Sequence, residues 1–242
     1  MLTLRLNPGL DPAPFARAFA ETKCVQVPDL FEDEVAAALE KVLLSLPWRL
    51  VLQNDQHENI FLTQEQLRTI PPQEIQRMLA RQKARAANSS AFIYFTYPMI
   101  EAIQQRWDPN HPIHQLTQFL NSPEFIAFAK ELIAYPGLTK IDAQASNYSA
   151  GHYLTRHIDD GLKKERRAAY TIGFSRGWQP DWGGLLMFLD ENLDVSRALT
   201  PRFNTLTVFD GLKLHSVSSV SQFAPNPRLS IAGWFRDDPI PR

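Results

Sequence analysis

One cysteine, Cys24, stands in 242 residues, so no disulfide can close within the chain. That fits a reducing compartment. No apolar run approaches the ~20 residues that a membrane-spanning helix needs. The first residues, Met1 to Gly9, lack the apolar core and small-residue cleavage site of a secretory signal. A soluble, cytoplasmic protein is the expectation. Charge of one sign is missing too: 25 basic residues face 26 acidic ones, for a formal net charge of -1. That balance argues against a nucleic-acid partner. Repeats, low-complexity segments and a flexible linker are absent. What remains is ordinary globular composition, 44% hydrophobic and 21% charged, long enough to bury a sizeable core.

Two textures divide the chain. Residues 2 to 6 alternate like a short strand. Helical patterns follow at Asp11 to Ala20 and at Glu32 to Leu46, where Val35, Leu39, Val42, Leu43 and Leu46 recur at helical spacing. Cys24 to Val27, Trp48 to Leu52 and Ala91 to Tyr97 are strand-like. Thr63-Gln64-Glu65-Gln66 reads as a capping box, and Pro72 as the first residue of a helix to about Ala87. Arg77, Arg81, Lys83 and Arg85 on that helix read as a solvated face. Short helices are expected at Pro98 to Trp107 and Pro112 to Leu120, and Ser122-Pro123-Glu124 opens another, to about Tyr135. From residue 139 short alternating runs take over: Lys140 to Tyr148, Tyr153 to Ile158, Arg167 to Phe174, Gly184 to Leu189, Thr205 to Asp210, His215 to Val220 and Arg228 to Phe235. Strands at this spacing suggest a sandwich or barrel. The expectation is a single α+β domain over 1–242, with a mainly helical support (1–138) against a β-rich core (139–242).

The chemistry concentrates in that core. His157 and Asp159 sit two apart, and residues i and i+2 of a strand share a face. An imidazole and a carboxylate would stand side by side as two ligands of one metal. His215 is the best third ligand. Two histidines and one carboxylate on one side of a metal leave open positions for oxygen chemistry, whereas a structural zinc site is closed and sulfur-rich. Arg228, at the head of Arg228-Leu229-Ser230-Ile231-Ala232-Gly233-Trp234-Phe235, shares a face with Ser230, Ala232 and Trp234. An inward arginine is costly unless an anion pairs with it, and a carboxylate does so through two parallel hydrogen bonds. Ser230 would add a hydroxyl.

His157-x-Asp159, His215 and Arg228-x-Ser230, in this order, resemble the Fe(II)- and 2-oxoglutarate-dependent oxygenases, most closely the prolyl 4-hydroxylase-like branch. Tyr148, nine residues before His157, and Trp178 ahead of Gly183-Gly184-Leu185-Leu186 are similar to that branch. The resemblance covers roughly residues 140 to 236. It implies a double-stranded β-helix (jelly-roll) core. It implies Fe(II) held by His157, Asp159 and His215, with no catalytic group beyond these ligands. Arg228 would bind the distal carboxylate of 2-oxoglutarate, assisted by Tyr148 or Ser230, with ascorbate as an accessory reductant. The reaction implied is hydroxylation of a C–H bond coupled to decarboxylation of 2-oxoglutarate. The substrate implied is a prolyl residue of a protein or peptide, with a small molecule as the alternative. Two departures stand out. The strand Tyr170-Thr171-Ile172-Gly173-Phe174 shows no clear equivalent of the polar residue that the branch carries there, and the gap from His215 to Arg228 is longer than in some relatives.

The competing readings are a cupin-like metal-dependent isomerase or hydrolase, which needs no Arg228, and a non-catalytic barrel module. His152, His57, His111 and His114 read as surface or structural histidines, Asp160 as facing away from the metal, and Lys163 to Arg167 as a mobile solvated loop. Trp178 and Trp234 read as core.

Overall fold

The structure is a computed structural model that describes residues 3–159, 161 and 165–239. The first half alternates helices with strands: α1 (Ala13–Thr22), β1 (Cys24–Val27), α2 (Asp33–Leu44), β2 (Arg49–Gln53), β3 (Asn59–Leu62), α3 (Gln64–Thr69), α4 (Pro72–Asn88), β4 (Phe92–Pro98), α5 (Met99–Gln104), α6 (Ile113–Leu120) and α7 (Pro123–Leu132). The second half contributes β5 (Lys140–Ile141), β6 (Gln144–Tyr148), β7 (Tyr153–His157), β8 (Arg166–Gly173), β9 (Leu186–Leu189), β10 (Val195–Leu199), β11 (Thr205–Phe209), β12 (His215–Val217) and β13 (Arg228–Arg236).

Local chemistry accounts for most boundaries. The Thr63 hydroxyl accepts from the Gln66 N–H while the Gln66 side chain accepts from the Thr63 N–H, so the capping box is formed. Ser122 caps α7 by accepting from the Phe125 N–H, with Pro123 at the first helical position. Residues 3–5 form no strand; Leu6 makes only an isolated bridge to Phe31. The run 140–148 is two strands, broken at Asp142 and Ala143. Two strands lack a clear sequence signal. β3 is the short return arm of a hairpin with β2, and β10 is an exposed edge defined by its ladder to β9 rather than by burial.

The strands pair antiparallel in the order β1-β11-β8-β13-β6-β4-β7-β12-β9-β10, with β2 attached to β4, β3 to β2, and β5 to β13. A large sheet runs from β1 to β4, and a small one from β7 to β10. The outer face of the large sheet carries Ala145, Ile172, Leu206, Leu229 and Ile231, which pack with Leu39, Leu116, Phe125 and Leu132 of the helices in the largest buried cluster. Burying a Leu- or Phe-sized side chain is worth about 1.5–3 kcal/mol each, so this helical backing is the main hold on the sheet's curvature. Its inner face is turned to the small sheet, and residues of both sheets line one cavity. Two curled sheets closed over an internal cavity form a double-stranded β-helix.

Candidate metal centre and cosubstrate pocket

His157 is the last residue of β7, and Asp159 lies just past the strand end, where its N–H donates to the Gly211 carbonyl at 2.7 Å. The turn between β11 and β12, rather than regular strand pleating, therefore holds the carboxylate beside the imidazole. Gly211 has to be small: a Cβ there would lie 2.9 Å from the Asp159 carbonyl oxygen and 3.0 Å from its Cβ. His215 opens β12 and is the direct cross-strand partner of His157. The three ligand atoms lie within 4.8 Å of one another. His157 Nε2 is 3.7 Å from Asp159 Oδ1, and His215 Nε2 is 3.4 Å from Asp159 Oδ2.

Each histidine is oriented by its own backbone. His157 Nδ1 meets the Thr155 carbonyl at 2.9 Å and His215 Nδ1 meets the Lys213 carbonyl at 2.8 Å. A carbonyl only accepts, so each Nδ1 donates, and in the neutral ring the Nε2 lone pair is left facing Asp159. Burial, then the neighbouring His215, pushes the His157 pKa down and favours that neutral ring. Burial opposes the charged form of Asp159, but without a metal a proton carried on a facing imidazole, His215 ahead of His157, outweighs it and holds the carboxyl below its usual value, and a bound cation would take that proton's place. Two imidazoles and one carboxylate converging without a fourth protein ligand among the described residues suit a divalent first-row metal with open positions.

At the other end of a cavity of about 400 Å³ stands Arg228. It is 4% exposed, and its Nε has no hydrogen-bond partner among the described residues. Burial pushes its pKa below the ordinary arginine value, with Tyr148 opposing that shift. A buried guanidinium facing an open cavity without an acidic partner is a site waiting for an anion. Tyr148 is its cross-strand neighbour, with the guanidinium 5.2 Å from the ring centroid. The Tyr148 ring stacks on Tyr94 at 4.7 Å. Ser230 is paired with Ser146, their hydroxyls 2.9 Å apart, so one hydroxyl proton of the pair can point into the cavity. Gly184 makes the close packing behind Arg228 possible, since a Cβ there would come within 3.1 Å of the Arg228 Cδ. The Trp178 indole N–H donates to the Gly183 carbonyl at 2.9 Å, which fixes that glycine pair against the arginine.

The structure thus brings together all six residues singled out in the sequence: His157, Asp159, His215, Arg228, Tyr148 and Ser230 line one cavity. It also corrects three expectations. Trp234 is not simply core; it lines the cavity on the same face as Arg228. Arg166 is not part of a solvated loop; it opens β8, its guanidinium lies 3.6 Å over the Trp234 ring, and it stands 3.9 Å from Asp159 Oδ1. On β8 a polar residue does reach the cavity: Thr171 lines it, while the Tyr170 hydroxyl donates away to the Asp142 carbonyl. Asp160, Lys163 and Lys164 lie outside the described residues. His152 is turned out of the pocket, its Nδ1 accepting from the Ser149 N–H and its ring against Phe95. His111 and His114 brace the Trp107 to Ile113 turn, and His57 sits in the β2–β3 turn with positive φ. Arg81 and Arg85 are tied to Asp55, Gln53 and Asn54, so α4 clamps the β2–β3 hairpin. Only alternation along β13 could have flagged Trp234, and nothing in the sequence flagged Tyr94 or Asn59, which reach the cavity from β4 and from the β2–β3 hairpin.

Comparison with known proteins agrees with this geometry. Residues 143–236 match the family model of the 2OG-Fe(II) oxygenase superfamily. No curated protein matches the chain by sequence. Among solved structures, an oxidoreductase of the 2OG-Fe(II) oxygenase family from Burkholderia pseudomallei superposes with a TM-score of 0.59 at 14% identity, over 97% of this chain and 94% of that one. A prolyl-4-hydroxylase from Pseudomonas putida gives 0.56 at 17% identity, over 94% and 99%. A prolyl hydroxylase from Trichoplax adhaerens, in complex with a hypoxia inducible factor oxygen degradation domain peptide fragment, gives 0.55 at 14% identity, over 92% and 87%. At these identities the superpositions establish the fold.

Proposed function

We propose that this chain, whose residues 143–236 match the 2OG-Fe(II) oxygenase family model, hydroxylates a prolyl residue in a protein or peptide. The observation that carries the cosubstrate assignment is Arg228, a buried cation with no acidic partner among the described residues, in the same cavity as a two-histidine, one-carboxylate cluster. His157, Asp159 and His215 would hold Fe(II). Arg228 would take the distal carboxylate of 2-oxoglutarate through paired N–H donors, with Tyr148 packed on its guanidinium and Ser230 or Thr171 offering a hydroxyl. Held there, Fe(II) with 2-oxoglutarate would activate dioxygen, one oxygen atom entering the substrate C–H bond as a hydroxyl and the other entering succinate as 2-oxoglutarate loses CO2.

The chain's own residues set the conditions for that chemistry. The carbonyls of Thr155 and Lys213 keep the histidine lone pairs aimed at one point. Tyr94, Tyr148, Val217 and Trp178 form a buried apolar wall that excludes water around Arg228, which strengthens its hold on a carboxylate. Trp234, with Arg166 stacked on it, flanks the mouth beside Asp159. A metal-dependent isomerase or hydrolase would gain nothing from Arg228. The prolyl substrate is supported by the likeness to prolyl hydroxylases, one of them crystallised with a peptide. A cytoplasmic setting belongs to the same reading and is supported by the single, buried Cys24. The test is aerobic turnover with Fe(II), 2-oxoglutarate, ascorbate and proline-containing peptides. Succinate should form in step with a one-oxygen mass gain on the peptide. Succinate formation without any peptide modification would reject the prolyl assignment.

A further inference from the structure

The floor of the metal pocket continues past the metal. Along β13, Arg228, Ser230, Ala232, Trp234 and Arg236 alternate onto one face. Tyr148, Ser146 and Gln144 stand opposite the first three, and Lys140 stands opposite Arg236. Beyond Trp234 the same face is walled by α5 and α6, which enclose a second groove of about 570 Å³. Gln144, Ala232 and Trp234 line both spaces, so the groove lies directly beside the metal pocket. The metal pocket itself is a cavity of about 400 Å³ that would also hold 2-oxoglutarate, so the residues flanking a reacting one need a surface outside it.

We propose that this groove binds the stretch of polypeptide flanking the target residue and so selects the substrate sequence. The proposal rests on the hydroxylase reading of the adjoining pocket. Ile100, Ile103 and Ile141 give the groove an aliphatic lining, and Ile103 is 40% exposed. Gln104 and Gln118 add carboxamides, which both donate and accept, as a peptide bond does. The two cations at its edge are already engaged. Lys140 donates to Asp238 and to the Pro239 carbonyl, and Arg236 to Asp142, Glu165 and Asp238. Among the described residues a phosphate or nucleic-acid backbone would find both of these cations already paired and Glu101 on the lining opposing it, whereas an amide-rich chain fits. The peptide does not add as a strand at Ile141, because the Asn121 side chain already accepts from its N–H and donates to its carbonyl, both at 2.9 Å. Side-chain pockets and carboxamides are what remain for recognition.

The experiment uses the full chain and a pool of peptides with a central proline flanked by randomised residues. Binding is read first without oxygen, with Fe(II) and 2-oxoglutarate present, and hydroxylation of the same pool is read in air. The wild type should enrich peptides with a residue preference on one side of the proline and hydroxylate the same set. The double variant Ile103→Glu/Gln118→Glu, both positions exposed, should lose that preference and bind at least about tenfold more weakly. Its affinity for 2-oxoglutarate and its melting temperature should match the wild type. An unchanged preference and affinity in the variant would overturn the groove while leaving the hydroxylase reading standing. Peptides bound through the groove yet never hydroxylated would uphold the groove and overturn the prolyl hydroxylase reading. A pool neither bound nor hydroxylated would overturn both.

Discussion

Arg228 is where residue chemistry speaks most clearly. It is buried, has no acidic partner among the described residues, and costs stability until an anion arrives. Replacing Arg228 with Met should therefore raise the melting temperature of the ligand-free protein, by the equivalent of roughly 1–2 kcal/mol. The same change should weaken 2-oxoglutarate binding by at least about a hundredfold, a loss near 2.7 kcal/mol. Thermal unfolding and isothermal titration on one sample check both halves, and a destabilised variant with intact 2-oxoglutarate affinity would contradict the assignment. The sequence disclosed this residue because an arginine heading an apolar alternating run has few innocent explanations. It disclosed His157, Asp159 and His215 by type and order. Arg166 and Trp234 were obscured for a physical reason: a charge in a basic run looks solvated, and an indole in an apolar run looks like core. The fold stacks them at 3.6 Å and sets both on the cavity lining.

Among the elements, turns do more than strands to place the ligands. Asp159 is held by its N–H to the Gly211 carbonyl, and a side chain at 211 would press on Asp159. Gly211→Ala should lower metal affinity at least about tenfold, or 1.4 kcal/mol, while moving the melting temperature little; metal titration beside thermal unfolding separates the two. Gly183 plays the opposite part. It has φ +67, and a Cβ there would collide with the Ser219 carbonyl, so Gly183→Ala should destabilise the fold by about 2–4 kcal/mol. Strands that carry ligands were legible from alternation, as were the capped helices α3 and α7. The edge strand β10 and the hairpin arm β3 were not, because their pairing comes from a neighbour rather than from a buried face. Asp159 showed the limit of strand reasoning: the i, i+2 rule put the pair together correctly, but the carboxylate sits beyond the strand and is placed by a turn 52 residues further on, at Gly211.

At the scale of the whole molecule, the end of β13 is tied back to the β5 edge by charge. Arg236, then Lys140, holds the Asp238 carboxyl down to about 2, burial opposing them. A carboxyl depressed in the folded state stabilises above its unfolded pKa, near 3.9, and that contribution is lost as pH falls toward 2. The melting temperature should therefore drop between pH 4 and pH 2, and Asp238→Asn should flatten that part of the curve; an unchanged acid profile would show the ion pairs to be idle. Assembly of the whole barrel is also what the central claim requires, because the site draws on β7 and the turn after it, on β12, and on β13 at the far end of the cavity. Its most direct test is an oxygen-free titration of the Fe(II)-loaded protein with 2-oxoglutarate, followed in the visible region. The account predicts a weak charge-transfer band that saturates at one equivalent, is abolished in His157→Ala and needs far more 2-oxoglutarate in Arg228→Met. No band in the folded wild type, or the same band in His157→Ala, would contradict it.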